Sequence, residues 1–343
     1  MKIKNTPLNK RLRRQAAISL TVLSLSLGAI TTQAQYTDPL DSQVVSMALA
    51  QQSLLLDVTQ AGDRLVAVGE RGHILYSNDS GENWTQANVA VQSQLTAVFF
   101  VNAKKGWAVG EDAVILHSND GGLNWHKQFD DRDADIRGPL LDVYFKNTRE
   151  GFAVGVFNKL YHTMNGGRTW QAWHEHSDNE DEWHLFAMAT PSDDVFYVAS
   201  EAGLLFKSMD GGDSFKALQT DHEGSFHGIL AKRGSDGLDR LILSGVGGIL
   251  FTSTNGGDSW NELNTHTQAG LSGGTFLKDG SVFIVGADGI MLHLSKDLTV
   301  VTKMQRDNGL PLSNALLSKQ GEIILVGLGG VQTINLSEVT NHE

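Results

Sequence analysis

Residues 117–125 read HSNDGGLNW, and the same skeleton returns as YSNDSGENW (76–84), HTMNGGRTW (162–170), KSMDGGDSF (207–215) and TSTNGGDSW (252–260). Active sites are rarely built five-fold, so a stretch repeated five times reads as a folding device. One position is always Asp or Asn: Asp79, Asp120, Asn165, Asp210 and Asn255. Their side chains are suited to accept backbone N–H groups one or two residues on, as Asx turns do. Two residues later stand Gly81, Gly122, Gly167, Gly212 and Gly257, which reach a positive φ without cost. Each copy closes on a large ring to bury, Trp84, Trp125, Trp170, Phe215 or Trp260.

The register extends well beyond the motif. The Asp/Asn positions fall at intervals of 41, 45, 45 and 45 residues, and each is preceded by two apolar runs separated by a Gly-containing turn. Two later units, VFIVGADGIMLHLSKD (282–297) and IILVGLGGVQTINL (323–336), keep the turn without the full motif, so seven units are present. A 41–45-residue period of short β-prone runs punctuated by Gly, Asn and Asp implies an all-β, seven-bladed propeller with four-stranded blades. The motif then lies between strands three and four of a blade. The last unit runs out of chain after three strands. Its missing outer strand is expected from the N-terminal side, within Asp41–Ala50, which would close the ring.

Residues 1–34 differ from the rest. Six Lys and Arg precede an apolar run from Ala16 to Ile30 and a small-residue TTQAQ stretch, the layout of a secretory signal peptide cleaved after Ala34. A single propeller domain over 35–343 and a periplasmic or secreted location follow as expectations. The chain has no cysteine, so neither disulfides nor a lipidated cysteine is expected. Beyond residue 34, 21 Lys and Arg face 39 Asp and Glu, a formal charge of −18. That balance argues against nucleic acid or an anionic membrane surface as partner. No second apolar stretch suffices for a membrane span.

The five motifs resemble the Asp box, or bacterial neuraminidase repeat. The longer unit GWAVGEDAVILHSNDGGLNW (106–125) is similar to repeats of the photosystem II stability and assembly factor family of seven-bladed propellers, a resemblance running from Leu54 to about Leu336. The resemblance implies a non-catalytic, exported, monomeric scaffold that helps assemble or stabilise a membrane or envelope protein complex, without a cofactor. Relatives of the repeat also occur in secreted proteins without a photosynthetic role. Basic docking patches are expected of photosynthetic members, and a charge of −18 departs from that.

The alternative is a propeller glycoside hydrolase of the sialidase kind, which needs three converging arginines, a Tyr–Glu pair and an acidic proton donor. Arg149 and Arg168 fall on the Asp-box face, and no such triad is legible. Two inserts between units stand out: FDDRDADIRGP (129–139) and WHEHSDNEDEWH (173–184). As connections from strand four to strand one they are expected on the face opposite the Asp boxes, forming an acidic rim with Arg71, Arg137 and Lys159. Trp173 and Trp183, flanking the second insert, are candidate partner contacts together with those three cations. His174, His176, Asp178, Glu180 and His184 form a weak candidate for a divalent metal. Asp130, Asp131, Asp133 and Asp135 weakly echo a calcium loop without its Gly and Glu. The sequences GVGG (245–248) and GLGG (327–330) precede no helix and read as tight strand turns, not phosphate cradles.

Overall fold

A computed structural model describes residues 36–335, Asp135 excepted. The chain divides into Met1–Tyr36 and Thr37–Glu343, and the second unit is the propeller. The proposed signal peptide lies outside the described residues.

Seven sheets follow one another along the chain, each built on an antiparallel meander in sequence order, and the second adds an outer strand, Asn88–Val89, parallel to its fourth. Their first strands are Leu55–Ala61, Leu95–Phe100, Leu140–Phe145, Leu185–Ser192, Phe226–Arg233, Leu271–Phe276 and Leu312–Leu317. These pack against one another in a ring around the axis, so turns between strands two and three share one face with the four-to-one connections. The Asp boxes, between strands three and four, occupy the other. Blade 1 is completed by Arg64–Gly69, Ile74–Ser77 and Thr85–Gln86, and blades 2–6 repeat the plan.

The core is divided among the seven blade junctions. One apolar cluster lies at each: for example Val66 and Val68 meet Phe100, Leu116 and Trp125 between blades 1 and 2. The ring closes in the same way, because Leu55, Val58 and Leu65 of blade 1 share a cluster with Ile324 and Val326 of blade 7. Polar contacts reinforce this last junction. Asn314 Nδ2 donates to Asp57 Oδ1 at 2.6 Å, and the Lys319 amide to Gln60 Oε1 at 3.2 Å.

Closure therefore takes no strand from Asp41–Ala50. Among the described residues blade 7 has three strands, and residues 38–50 form no strand. Instead this segment lies across blades 1 and 2. Leu40 is buried with Val89 and Trp125, Val44 N donates to Val89 O, and Gln92 N donates to Pro39 O. Charge fixes it there: Arg132 Nη1 lies 2.7 Å from Asp41 Oδ2, and Lys127 Nζ lies 2.8 Å from Asp41 Oδ1. Arg132, then Lys127, hold the Asp41 carboxyl well below the usual carboxylate range. The strand expected within Asp41–Ala50 gives way to this pairing.

Each first strand carries a bulge directly after its opening residue, as Leu55 pairs with Gly69 while Asp57 pairs with Val68. The extra residue brings the carbonyl just before the strand against the end of strand two. Ideal Cβ atoms at Gly69, Gly110, Gly155, Gly245, Gly286 and Gly327 would lie 2.0–2.3 Å from that carbonyl oxygen. Gly110 has an extended φ of −176°, so close approach rather than a left-handed backbone excludes other residues there. Blade 4 carries Ser200 instead, whose hydroxyl donates to the equivalent carbonyl, His184 O, at 2.6 Å.

Candidate partner-binding face

The Asp boxes form closed local networks wider than the sequence suggests. In blade 1 the Ser77 hydroxyl donates to Asp79 Oδ1 at 2.7 Å and accepts from Gly81 N at 2.9 Å. Asp79 accepts from Asn83, four residues on, through both backbone (2.9 Å) and side chain (2.8 Å). The Asn83 amide, followed by its side chain and the Ser77 hydroxyl, holds the Asp79 carboxyl down to about 2. Blades 2–5 repeat the Ser/Thr-to-Gly and Asp/Asn-to-i+4 bonds. Blade 6 keeps a remnant, since Ser295 Oγ donates to Asp297 Oδ1 at 2.6 Å. The closing rings Trp125, Trp170 and Phe215 are buried, and Trp84 and Trp260 are half-buried.

This geometry reassigns Trp173. Trp84 and Trp125 donate their indole N–H to Gly81 O and Gly122 O of their own boxes, each at 3.0 Å. Blade 4 has Phe215 at that position, and its Gly212 O instead accepts from Trp173 Nε1 of the preceding insert at 3.0 Å. Trp173 therefore packs the junction of blades 3 and 4, stacked on His176 at 3.6 Å. The first half of the insert lies beside the Asp box of blade 4, against expectation: His176 Nδ1 bonds Asp213 O, and Ser177 bridges Phe215. Only its second half reaches the opposite face, where Trp183 O accepts from Asn158 N. Trp183 is half-buried there.

The metal candidates separate accordingly. His174, Glu180 and the rest of the insert do not gather: Asp178 pairs with Lys216 at 3.1 Å, and His184 approaches Glu201 at 3.4 Å. Among the described residues no group of three or more His, Asp or Glu is placed to hold a metal. In the other insert Asp130 is paired with Lys127 and Arg132, and Asp131 with Lys159. Lys159 is corrected too. It is buried, 2.9 Å from Asp131 Oδ2, which also accepts the Tyr161 hydroxyl, so it is not free to meet a partner. Arg71 and Arg137 are exposed and unpaired among the described residues.

The face opposite the Asp boxes carries seven hairpin turns whose tip residues are left-handed: Arg71, Asp112, Phe157, Ala202, Gly247, Asp288 and Gly329. Such turns favour Gly, Asn and Asp. Phe157, at φ 54° and 47% exposed, is the aromatic exception, as Arg71 at φ 55° is the cationic one. Its ring begins an aromatic track. Phe157 meets His184 edge-on at 4.6 Å, His184 lies 6.0 Å from Phe186, and Phe186 lies 4.6 Å from His227. Phe186 and His227 are the bulge residues of blades 4 and 5, so the track leads from the rim into the axial mouth.

Below the mouth lies a pocket of about 280 Å³ lined by all seven first strands. Two carboxyls line it. Asp57 accepts from Val58 N and, across the junction, Val98 N, each at 2.8 Å. Asp142 does the same with Val143 N and Met188 N, each at 2.7 Å. Desolvation in the axial pocket pushes both upward, Asp142 to about 7, aided by the charge of Asp57 and opposed by the two amides. No arginine or tyrosine lines this pocket. Sequence reasoning missed this site because Asp57, Asp142 and His227 occupy different repeats and come together only at the axis.

Comparison with known proteins follows from this geometry. A comparison with curated protein sequences gave no match. A solved structure of YCF48 bound to a D1 peptide aligns with a TM-score of 0.66 at 17% identity, covering 87% of this chain and 97% of that one. YCF48 from Cyanidioschyzon merolae aligns with a TM-score of 0.66 at 18% identity, over 85% and 97%. The WD40 β-propeller domain of Doa1 gives 0.63 at 13%, over 87% and 97%. At these identities the likenesses show the seven-bladed fold. The family model described as photosynthesis system II assembly factor YCF48 matches residues 37–132 and 126–232, more than half of the sequence, and the chain therefore belongs to that family.

Proposed function

We propose that this protein is a non-catalytic assembly factor, exported by its N-terminal signal, that binds a client protein of a membrane or envelope complex. The binding face is the one bearing the two-to-three turns, with the aromatic track from Phe157 to His227 as its centre. One observation carries this reading: Phe157 holds a bulky exposed ring in a left-handed turn, and its one ring neighbour, half-buried His184, gives it little burial in return. Backbone strain of this kind, on the order of 1 kcal/mol, concentrates at binding sites. Family membership supports the same reading, as does a peptide-bound relative.

The test uses Phe157→Gly, because glycine relieves the strain while deleting the ring. Tagged mature protein and the variant are used to capture partners from solubilised native envelopes, with mass spectrometry as the readout. The expected result is a membrane-complex subunit recovered by the wild type and lost with a variant at least as stable. Equal recovery by Phe157→Gly would overturn the assignment of this face.

A further inference from the structure

The seven-fold repeat supplies its own controls at the blade junctions of the Asp-box face. In four of them the carbonyl of the box's first glycine is capped by a side chain from the preceding blade. Arg64 Nη1 donates to Gly121 O at 2.8 Å, Lys146 Nζ to Gly211 O at 3.2 Å, and Lys207 Nζ to Gly256 O at 2.9 Å. Between blades 2 and 3 the cap is neutral: Gln128 Nε2 donates to Gly166 O at 3.1 Å. That junction retains an open groove of about 420 Å³, lined by Lys105, His117, Gln128, Thr148, Arg149, Asn165, Gly166 and Arg168.

Three cations, Lys105, Arg149 and Arg168, line this groove, and no carboxylate does. Their side chains make no ion pair or hydrogen bond among the described residues. The box itself carries neutral Asn165 where blades 1, 2 and 4 carry Asp79, Asp120 and Asp210. Burial and the neighbouring Lys105 keep the His117 imidazole below its ordinary range, so it adds no charge of its own. Gln128 Oε1 is a buried acceptor without a donor. In a chain with a net charge of −12, three cations without an ion pair or hydrogen bond around one cavity, with no carboxylate among them, favour an anionic guest.

We propose that this groove binds inorganic phosphate, with Lys105, Arg149 and Arg168 as counter-charges. The site lies on the face opposite the proposed client surface and does not depend on that reading.

Calorimetric titration of the mature chain with sodium phosphate, and separately with sodium sulfate, at neutral pH and low ionic strength tests it. Phosphate is expected to bind saturably at one site. Sulfate, a tetrahedral dianion of similar size, should compete for the same site. Arg149→Ala with Arg168→Ala should weaken phosphate by roughly tenfold or more, the loss of two charge-assisted contacts. Lys278→Ala with Lys296→Ala, removing unpaired cations beside a groove that also holds Asp279, should change nothing. Gln128→Arg supplies to this junction the cap that Arg64 provides in blade 1, and should abolish binding while the melting temperature is kept. Absence of saturable phosphate binding, or an equal loss in the lysine pair, would each overturn the proposal.

Discussion

Gly110→Ala separates close approach from backbone conformation as the reason for glycine at the end of strand two. The residue has φ −176°, which alanine adopts freely, so a purely conformational account expects a gain of about 0.4–1 kcal/mol from the stiffer unfolded chain. Packing expects the opposite. The new Cβ would stand 2.0 Å from Gln94 O and 2.9 Å from Leu95 Cα, both backbone atoms. Relief requires a shift of about 1 Å in the bulge, at the upper end of the 1–3 kcal/mol typical of overpacking. It also strains the bond from Glu111 N to Gln94 O, now 3.0 Å, which contributes about 1 kcal/mol. The net expectation is a loss of about 3 kcal/mol. Urea unfolding followed by tryptophan fluorescence and circular dichroism measures it, and Ser200→Gly serves as the converse. That variant loses the hydroxyl bond to His184 O and gains chain entropy, about 1–2 kcal/mol, without any clash. A Gly110→Ala midpoint equal to or above wild type would refute the close-approach argument.

Trp173→Ala is expected to cost about 3 kcal/mol from lost burial and the Gly212 bond, and Phe215→Trp, which provides an indole from within the box, should recover about 1 kcal/mol of that in the double variant; strict additivity in a double-mutant cycle would refute the exchange. The Asp142 carboxyl is raised in the fold from 3.8 to about 7, so its contribution is complete below about pH 4 and declines as pH rises towards 7, by at most roughly 4 kcal/mol. Asp142→Asn should flatten that decline in denaturant midpoints measured across the window, and an unchanged slope would exclude the axial carboxyl as its source. The Asp boxes act in the opposite sense: with Asp79 lowered to about 2, its contribution is present above about pH 4 and lost as pH falls towards 2. Arg132→Ala should release residues 37–50 to limited proteolysis while the rest of the ring stays resistant, and equal protection in both proteins would show that Leu40 alone holds the segment.

Much of the fold was legible because each blade restates the same local chemistry, and a period of 41–45 residues survives five imperfect copies. What the sequence hid was whatever acts across a junction. Lys159 looked like a free surface cation because Asp131, its partner, stands 28 residues earlier on the neighbouring blade's connection. Trp173 looked exposed because it flanks a charged insert, while its acceptor lies 39 residues on. The blade 6 box went unread because Ser295 and Asp297 stand without the glycine and aromatic that marked the others. The axial pocket is legible only once the first strands gather round the axis, because Asp57, Asp142 and His227 come from blades 1, 3 and 5.

Departures from the repeat divide into two kinds, and the division locates function better than the repeat does. Ser200 replaces a glycine, and the structure answers it with a hydrogen bond to His184 O. Phe215 replaces a tryptophan, and Trp173 of the neighbouring insert completes its box. Both exchanges are compensated within the fold, so their removal should register as stability. Phe157 and Gln128 are different. The first places an exposed ring in a left-handed turn where other blades use Gly, Asp, Ala or Arg, and the second leaves a buried acceptor empty beside three unpaired cations. The His184 ring covers Phe157 only in part, and the Gln128 bond to Gly166 O leaves its own Oε1 unmet. A sequence that is locally consistent almost everywhere keeps such conflicts where something outside the fold rewards them. Phe157→Gly and Gln128→Arg should therefore hold or raise the melting temperature while removing binding, whereas Ser200→Gly and Trp173→Ala should lower it and leave both binding faces intact; a variant of the first kind that destabilised the ring would place its residue among the structural exchanges.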